Sequence, residues 1–384
     1  MTPNVSLAPR LRRFAGRSLI PTIILTVAAV AIGAAAMYLV TVRSQNEVEE
    51  QTAARFMTMT GLDRPVKNKL SDKFVDADGD MVADAPSDAS KLVDPPKLLF
   101  SYVAREDTSE YEKLWQPFAE HLAKVTGRPV EYVSVHSSED QLIALRDGKL
   151  HVTGFNSGAV PMAVNVCGFV PVARVPTGDA KGTHVEIIVP ASSPIQNLSD
   201  LRDRKYAIAF TEPNSNTGFK APLVLLREDK DIMAEREYLI RTTGDHEASI
   251  AGIKNKQYDA AAVSFDMLAR EESKQHISPG EYRSIYKSES FPTAALGFAY
   301  NLKPELAAKV REAIMTFDMK DTALANDLAP VSQTKFLPVD YKEDWKLIRR
   351  IDDAYGQVHE LGGDESSASS PTTAPATQPA GAGR

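Results

Sequence analysis

Short apolar runs alternate with longer amphipathic stretches through the central part of the chain. The apolar runs at residues 98–103, 130–135 and 150–155 are bounded by polar loops, which is the pattern of buried strands. Between them, helices are predicted near residues 117–126 and 139–146, where apolar positions recur on one helical face. Such alternation predicts an α/β fold with mostly parallel sheets and helices on both faces.

An uncharged apolar stretch at residues 18–42 dominates the N-terminal part. It follows a basic segment, residues 1–17, and at ~1.5 Å per residue it is long enough to span a bilayer. We predict one transmembrane helix that anchors the rest of the chain outside the cytoplasm, because basic flanks stay inside. The alternative is a cleaved signal sequence that ends near Ala34, Ala35 and Ala36. The stretch exceeds the usual signal core of about 7–15 residues, which favours the anchor.

Residues 43–96 are charged and end in two prolines, so the sequence predicts an irregular linker there. Within it, carboxylates recur at Asp76, Asp78, Asp80 and Asp84. This spacing resembles calcium loops, because hard cations prefer several oxygen ligands from one short turn. The glycine and the final glutamate of an EF-hand loop are not in place, so a solvated acidic linker is the alternative.

Composition fits a large globular part with accessory ends, since 43% of the 384 residues are hydrophobic. Residues 362–384 are rich in Ser, Thr, Ala, Pro and Gly and are predicted to be disordered. The net charge of −7 argues against a nucleic-acid partner. The single cysteine, Cys167, excludes an internal disulfide, and its apolar surroundings predict a buried, inert thiol.

An anion-binding turn is predicted after the apolar run 207–210. A loop of small polar residues follows this run and opens a helix whose first N–H groups lack intrahelical partners. Ser215 and Thr217 add hydroxyl donors, and Gly218 lets a ligand approach the backbone. An ordinary helix N-cap is the alternative, because Ser, Thr and Asn are favoured at such positions everywhere.

Several further motifs occur in a characteristic order, at residues 115–118, 193–201, 243–249, 256–263 and 288–293. Together with the anion-binding turn they resemble the phosphonate/phosphate-binding proteins of ABC transporters, over roughly residues 97 to 350. The resemblance implies a two-lobed periplasmic-binding-protein fold of type II with a hinge between the lobes. It implies that residues 97–190 and 296–361 form lobe 1 and that residues 191–295 form lobe 2. The chain would cross near 189–191 and return near 296–300.

The resemblance also implies ligand contacts from both lobes. Ser215, Asn216 and Thr217 occupy the place of a Ser-Thr-Ser run that holds phosphonate oxygens in the family, with an amide in the middle position. His246 matches the histidine that donates to the same oxygens. A single histidine is otherwise more often structural.

The resemblance implies three further ligand-contact positions in the first lobe and one in the second. Phe155 stands where family members place a ligand-contacting tyrosine, and Asn156 and Ser157 beside it are the polar groups that could replace that contact. Asp266 matches one of two carboxylates that meet the ammonium group of aminoalkylphosphonates in the family. The other position here is Ala294, so a ligand without an ammonium group is expected.

These observations predict a solute-binding protein that captures phosphate, phosphite or a small phosphonate and delivers it to the permease of an ABC importer. The alternative is a membrane-tethered sensing domain that signals through a separate partner chain. Catalysis is not expected, because the sequence has no Walker, HExxH or GxGxxG motif. No cofactor is expected besides the candidate calcium ion.

Overall fold

The computed structural model describes residues 20–103, 109–175, 182–202, 206–213, 215–328 and 334–361. The predictions for the basic segment and for the C-terminal tail therefore lie outside the described residues. The chain divides into two compact units, Met1–Arg55 and Phe56–Arg384. The strands and the candidate site belong to the second unit.

A single long helix, α1, runs from Ile20 to Thr60. Its apolar part is long and hydrophobic enough to cross a membrane, with a mean hydropathy of 2.1, as predicted for residues 18–42. The helix continues through residues 43–60, where the sequence predicted an irregular chain, so that part of the prediction is wrong. These residues include no glycine or proline, and the helix ends only at Gly61, whose φ of +78° is left-handed.

The segment after α1 is bonded to the C-terminal part of the fold and is not a free linker. The Asn68 amide donates to Asp353 Oδ1 and to the Gln357 carbonyl. Its own Oδ1 accepts from the His359 N–H at 3.0 Å. The Ser71 N–H donates to the Asn165 carbonyl. Such long-range hydrogen bonds leave no periodic pattern in the sequence, which is why the linker prediction missed them.

We expect Asn68→Ala to lower the free energy of unfolding by about 2–4 kcal/mol, because it removes buried or half-buried hydrogen bonds that contribute roughly 1 kcal/mol each. Chemical denaturation of the full-length chain measures the change. Gln116→Ala is the matched control. Among the described residues the Gln116 amide bonds to Glu120 on the exposed face of its own helix, so the substitution should change stability by less than about 0.5 kcal/mol. Equal effects of the two substitutions would contradict the proposed anchoring.

The strands divide between two sheets. In chain order they are β1 (Leu98–Ser101), β2 (Val130–Tyr132), β3 (Val152–Asn156), β4 (Phe169–Arg174), β5 (Val185–Pro190), β6 (Ala207–Thr211), β7 (Leu239–Gly244), β8 (Ala260–Ser264), β9 (Tyr282–Lys287), β10 (Ala294–Ala299) and β11 (Leu337–Pro338). The first lobe has the order β11-β4-β10-β3-β1-β2 and the second has β7-β6-β8-β5-β9.

Each sheet is mixed rather than mostly parallel, so that prediction is only half right. Strand β1 pairs in parallel with β2 and β3, and β6 pairs in parallel with β7 and β8. The strands next to the lobe crossings, β5 and β10, run antiparallel to their neighbours. A strand that enters a sheet from the other lobe is not constrained by a βαβ connection, which is what imposes parallel pairing.

Helices follow most of the strands, and the starts of several helices lie at the site. They are α2 (Ser109–Thr126), α3 (Ser138–Arg146), α4 (Val160–Cys167), α5 (Ala221–Lys230), α6 (His246–Lys254), α7 (Phe265–Ser273), α8 (Pro304–Thr316), α9 (Ala323–Leu328), α10 (Tyr341–Asp344) and α11 (Lys346–Ala354). The Cys167 thiol at the end of α4 is buried, and burial raises its pKa to about 12, as expected for an inert cysteine.

The chain crosses between the lobes earlier than predicted in both directions. Strand β5 already belongs to the second sheet and β10 to the first, so the chain crosses between β4 and β5 and between β9 and β10, not near 189–191 and 296–300. The two crossing segments pair with each other, because Thr183 and Phe291 exchange backbone hydrogen bonds of 2.9 and 2.8 Å. An apolar run predicts a strand but does not reveal which sheet receives it, which explains the misplaced boundaries.

Candidate ligand-binding site

A polar cavity of about 680 Å³ lies between the two lobes. The first lobe contributes the start of α3 and the end of β3, and the second contributes the turn after β6 and the starts of α6 and α7. Leu142, Met162, Met267, Phe291 and Leu361 give the wall apolar parts, but most of the lining side chains are polar, and these include Ser138, Glu139, Asn156, Ser157, Thr183, Ser215, Asn216, Thr217, Lys220, His246, Ser264, Asp266, Thr293, Gln357 and Glu360. Strand ends and helix starts that meet at one edge are a common place for ligands in α/β folds.

The turn after β6 is a π-helical turn, Asn216–Lys220, that leads directly into α5. Ser215 caps it, with its hydroxyl oxygen accepting from the Gly218 N–H at 3.1 Å. The cap interpretation of the sequence is thus right for Ser215, whose hydroxyl proton remains available to a ligand. The first N–H groups of the turn have no intrahelical acceptor by position and give the cavity a positive partial charge.

Gly218 is buried and packs on the strand instead of lining the cavity. A Cβ at this position would lie 2.3 Å from Thr211 Oγ1. Glycine therefore allows the turn to lie close against β6. The predicted approach of a ligand to the Gly218 backbone is not what the geometry provides.

His246 begins α6 and contacts the turn through Nε2, which lies 3.0 Å from Thr217 Oγ1. Its Nδ1 accepts from the Ser264 backbone N–H at 3.4 Å, so the neutral ring carries its proton on Nε2 and donates it to Thr217. The Thr217 hydroxyl is thereby left as a donor to the cavity. Burial lowers the pKa of His246, although the charges of Asp266 and Asp245 oppose this effect. Because the pKa is lowered, the ring is neutral at pH 7.

Asp266 lies in the first turn of α7 and lines the cavity. Its Oδ1 accepts a 2.6 Å hydrogen bond from the Thr183 hydroxyl in the crossing segment. This bond holds the carboxylate in place at the wall of the cavity.

The first-lobe wall is formed by the residues that follow β3. Asn156 Oδ1 accepts from the Ala159 N–H, and Asn156 Nδ2 lies 3.4 Å from Ser138 Oγ. The Ser157 backbone is held by the Thr293 carbonyl and by the Trp345 indole N–H. Within the described part of the chain, the Ser157 hydroxyl is buried and has no hydrogen-bond partner, which makes it a candidate ligand contact.

Phe155 does not line the cavity, so its predicted ligand contact is wrong. Its side chain is fully buried and packs edge-to-face on Phe169, with ring centroids 5.1 Å apart. Successive side chains of a strand point to opposite faces, and here Asn156 takes the cavity side.

The two lobes touch at Gly158 and Asn216. A Cβ on Gly158 would lie 1.4 Å from Asn216 Nδ2, so the asparagine side chain occupies the space that any other residue at 158 would need. The amide introduced in the middle of the Ser-Thr-Ser pattern therefore contacts the opposite lobe.

Sequence reasoning missed the cavity residues supplied by the end of the fold. Lys220 donates to Gln357 Oε1 at 2.6 Å, and Gln357 and Glu360 lie in the segment that follows α11. The place of Lys220 three residues after Thr217, at the end of the predicted anion-binding turn, was the one signal in the sequence that could have indicated it. Nothing in the sequence could have indicated that residues 357–361 reach the cavity.

The acidic loop of residues 76–84 is remote in sequence from the cavity. The carboxylate oxygens of Asp76, Asp78 and Asp80 lie within 4.8 Å of one another, an arrangement compatible with a metal ion. Asp84 instead accepts from the Ala77 N–H at 2.7 Å.

Two α/β lobes, joined by paired crossing segments and facing each other across a polar cavity, define a two-lobed solute-binding protein. The family model of the phosphonate periplasmic substrate-binding proteins of ABC transporters matches residues 100–345. The chain belongs to this family.

Individual proteins of this family are similar to the chain in sequence and in structure. The chain is 23% identical over 223 residues to the phosphonates-binding periplasmic protein of Escherichia coli, which covers 57% of this chain and 66% of that protein. It is 24% identical over 241 residues to the phosphate-import protein PhnD of Mycolicibacterium smegmatis, covering 60% of this chain and 74% of that protein. The structure of PhnD1 from Prochlorococcus marinus in complex with methylphosphonate superposes with a TM-score of 0.52 and 15% identity, over 69% of this chain and 100% of the other. The fold is therefore the two-lobed periplasmic-binding-protein fold that the sequence predicted.

Proposed function

We propose that this protein binds a tetrahedral phosphorus oxyanion, namely phosphate, phosphite or a small phosphonate, in the cavity between its lobes. The observation that carries this proposal is the Thr217–His246 pair, whose 3.0 Å contact and neutral imidazole leave the Thr217 hydroxyl as a donor. Ser215 and the free N–H groups of the same turn add further donors. Neutral donors at the start of a helix are suited to an anion that must be released again to a transporter.

Binding and lobe closure are coupled in this proposal. Donors from the turn after β6 and from residues 156–157 lie on opposite lobes, so one ligand satisfies both sets when the lobes meet. The ligand stabilises the closed form by its differential affinity for that form. Delivery to the permease of an ABC importer is the role that fits this design, as its relatives' names suggest. Acting as a sensing domain for a separate partner is the second candidate, and reconstituted uptake with the permease would distinguish the two.

A thermal-shift screen of the full-length protein in detergent tests the ligand class. Phosphate, phosphite, methylphosphonate, 2-aminoethylphosphonate and sulfate are compared at equal concentrations. A ligand at 100 times its dissociation constant adds about 2.7 kcal/mol of stability. We expect stabilisation by phosphorus oxyanions that lack an ammonium group, and the proposal fails if none of them shifts the transition.

We also propose that α1 is retained as a membrane anchor on the extracytoplasmic protein. Its apolar part forms one continuous helix with residues 43–60, with no break at the candidate cleavage site near Ala36. Mass spectrometry of the membrane fraction should then recover peptides N-terminal to Ala36, and the protein should resist carbonate extraction. A mature chain that begins near Ala36 would establish a cleaved signal sequence instead.

Calcium binding by Asp76, Asp78 and Asp80 remains a separate proposal. It is supported by the proximity of their carboxylates, which an ion would neutralise; burial, and then the charges of Asp78 and Asp76, raise the pKa of Asp80.

A further inference from the structure

Lys220 is the one cationic side chain among the described residues that line the cavity. It ends the π-helical turn that carries Thr217, and both side chains line the cavity. The donors already assigned to the oxyanion are neutral, since burial keeps His246 uncharged. The N–H groups of the turn offer the ligand only partial positive charge, so Lys220 is the described cavity side chain that can meet it with a full positive charge.

The ammonium group of Lys220 has an incomplete set of partners. It donates to Gln357 Oε1 at 2.6 Å and lies 5.4 Å from the ring centroid of Tyr355. Within the described ranges it forms no ion pair, whereas Lys287 of the same lobe pairs with Glu186 at 2.9 Å. An ammonium group has three N–H donors, so at least one further acceptor can be accommodated.

The surrounding acids do not neutralise this charge directly. Burial lowers the pKa of Lys220, and Asp352 opposes this electrostatically. Asp352 is itself buried beside His359, whose Nε2 lies 3.4 Å from Asp352 Oδ2, and burial raises the pKa of Asp352. Asp266 accepts from Thr183. Glu139 and Glu360 line the cavity but are exposed to water. A half-buried cation without a close counter-charge is unfavourable unless a ligand supplies one.

We propose that Lys220 is the counter-charge of the ligand: it pairs with an oxygen of a doubly charged oxyanion and makes the cavity select a dianion over a monoanion of the same shape. This inference rests on the proposed function. It adds that the ligand carries two negative charges and no ammonium group, because a second cation in the cavity would repel Lys220. A charge-assisted hydrogen bond is roughly twice as strong as a neutral one, so the selectivity is expected to be large enough to measure.

The position of Lys220 also allows a purely mechanical role, because its bond to Gln357 joins the second lobe to the end of the fold. The two roles are separable. Gln357→Leu removes the contact between the lobes and keeps the charge, whereas Lys220→Met removes the charge and keeps the length of the side chain. Lys220→Arg keeps the charge and serves as the matched control.

Calorimetric titration of the full-length protein in detergent with phosphite and with hypophosphite tests the inference. These anions are similar in size, but at pH 8.5 phosphite carries two negative charges and hypophosphite carries one. We expect Lys220→Met to weaken phosphite binding by about tenfold or more and hypophosphite binding by about threefold or less, so that the preference for the dianion falls. Lys220→Arg should retain the preference, and Gln357→Leu should change both affinities by one common factor.

The outcomes separate the two proposals. If the wild type binds phosphite and Lys220→Met leaves the ratio of the two affinities unchanged, the counter-charge role is overturned and the proposed function stands. If the wild type binds neither anion nor methylphosphonate, the proposed function is overturned and this inference with it. Thermal unfolding without ligand should show that Lys220→Met is at least as stable as the wild type, because the substitution removes a poorly paired ammonium group.

Discussion

Replacing Gly158 by valine is expected to weaken ligand binding by about a hundredfold or more while the protein remains folded. The smallest added atom, a Cβ, would lie 1.4 Å from Asn216 Nδ2 on the opposite lobe, so the Asn216 side chain must move before the lobes can meet as they do here, and the larger valine needs still more of this space. The Gly158 backbone does not have a positive φ, so a side chain is tolerated within the first lobe itself.

Calorimetry with methylphosphonate measures this effect, and chemical denaturation shows that the fold is retained. Gly280→Val is the matched control, because a Cβ at Gly280 has nothing within 4 Å. A finer test combines Gly158→Ala with Asn216→Ala. The second substitution removes the side-chain amide with which the new methyl group of the first collides. The combined loss should then be smaller than the sum of the single losses. Strict additivity would show that the two residues do not meet across the cavity.

Thr217→Val is expected to weaken binding by at least about tenfold, or roughly 1.4 kcal/mol, with little change in stability. Valine keeps the shape of the side chain but removes the hydroxyl that accepts from His246 and that we propose as a donor to the ligand. His246→Ala should weaken binding to a similar extent, because it frees the Thr217 hydroxyl from its orienting partner. The double variant should lose little more than either single variant, since both act on one donor.

Thr126→Val provides the comparison for this pair. The Thr126 hydroxyl also makes a side-chain hydrogen bond, to the Leu122 carbonyl in its own helix, but it is not among the cavity residues. Binding by this variant should equal that of the wild type. Unchanged affinity in Thr217→Val as well would exclude the turn after β6 as the oxyanion site.

The local parts of the site were predictable from the sequence. The apolar run before Ser215 and the polar turn after it determine a strand, a cap and a helix start within a dozen residues, and the structure has β6, the cap and the π-helical turn in that order. His246 was reached through the resemblance to the family, and the structure brings it to within 3.0 Å of Thr217. Whether these residues bind the ligand remains for the experiments above.

The parts that could not be predicted depend on tertiary contacts. Phe155 was assigned to the site because of its alignment with a tyrosine, but the alternation along β3 turns it into the core and exposes Asn156. The lobe crossings were misplaced because the apolar run of β5 fits either sheet. Lys220 was not recognised because its significance comes from Gln357, which is distant in the chain.

The central claim, that the cavity between the lobes binds a phosphorus oxyanion, is tested most directly by titrating the full-length protein with methylphosphonate and with sulfate in a calorimeter. The account predicts saturable binding of one methylphosphonate per chain, at least tenfold tighter than sulfate, and its loss in Gly158→Val. Binding of neither anion, or methylphosphonate binding that Gly158→Val leaves unchanged, would contradict it.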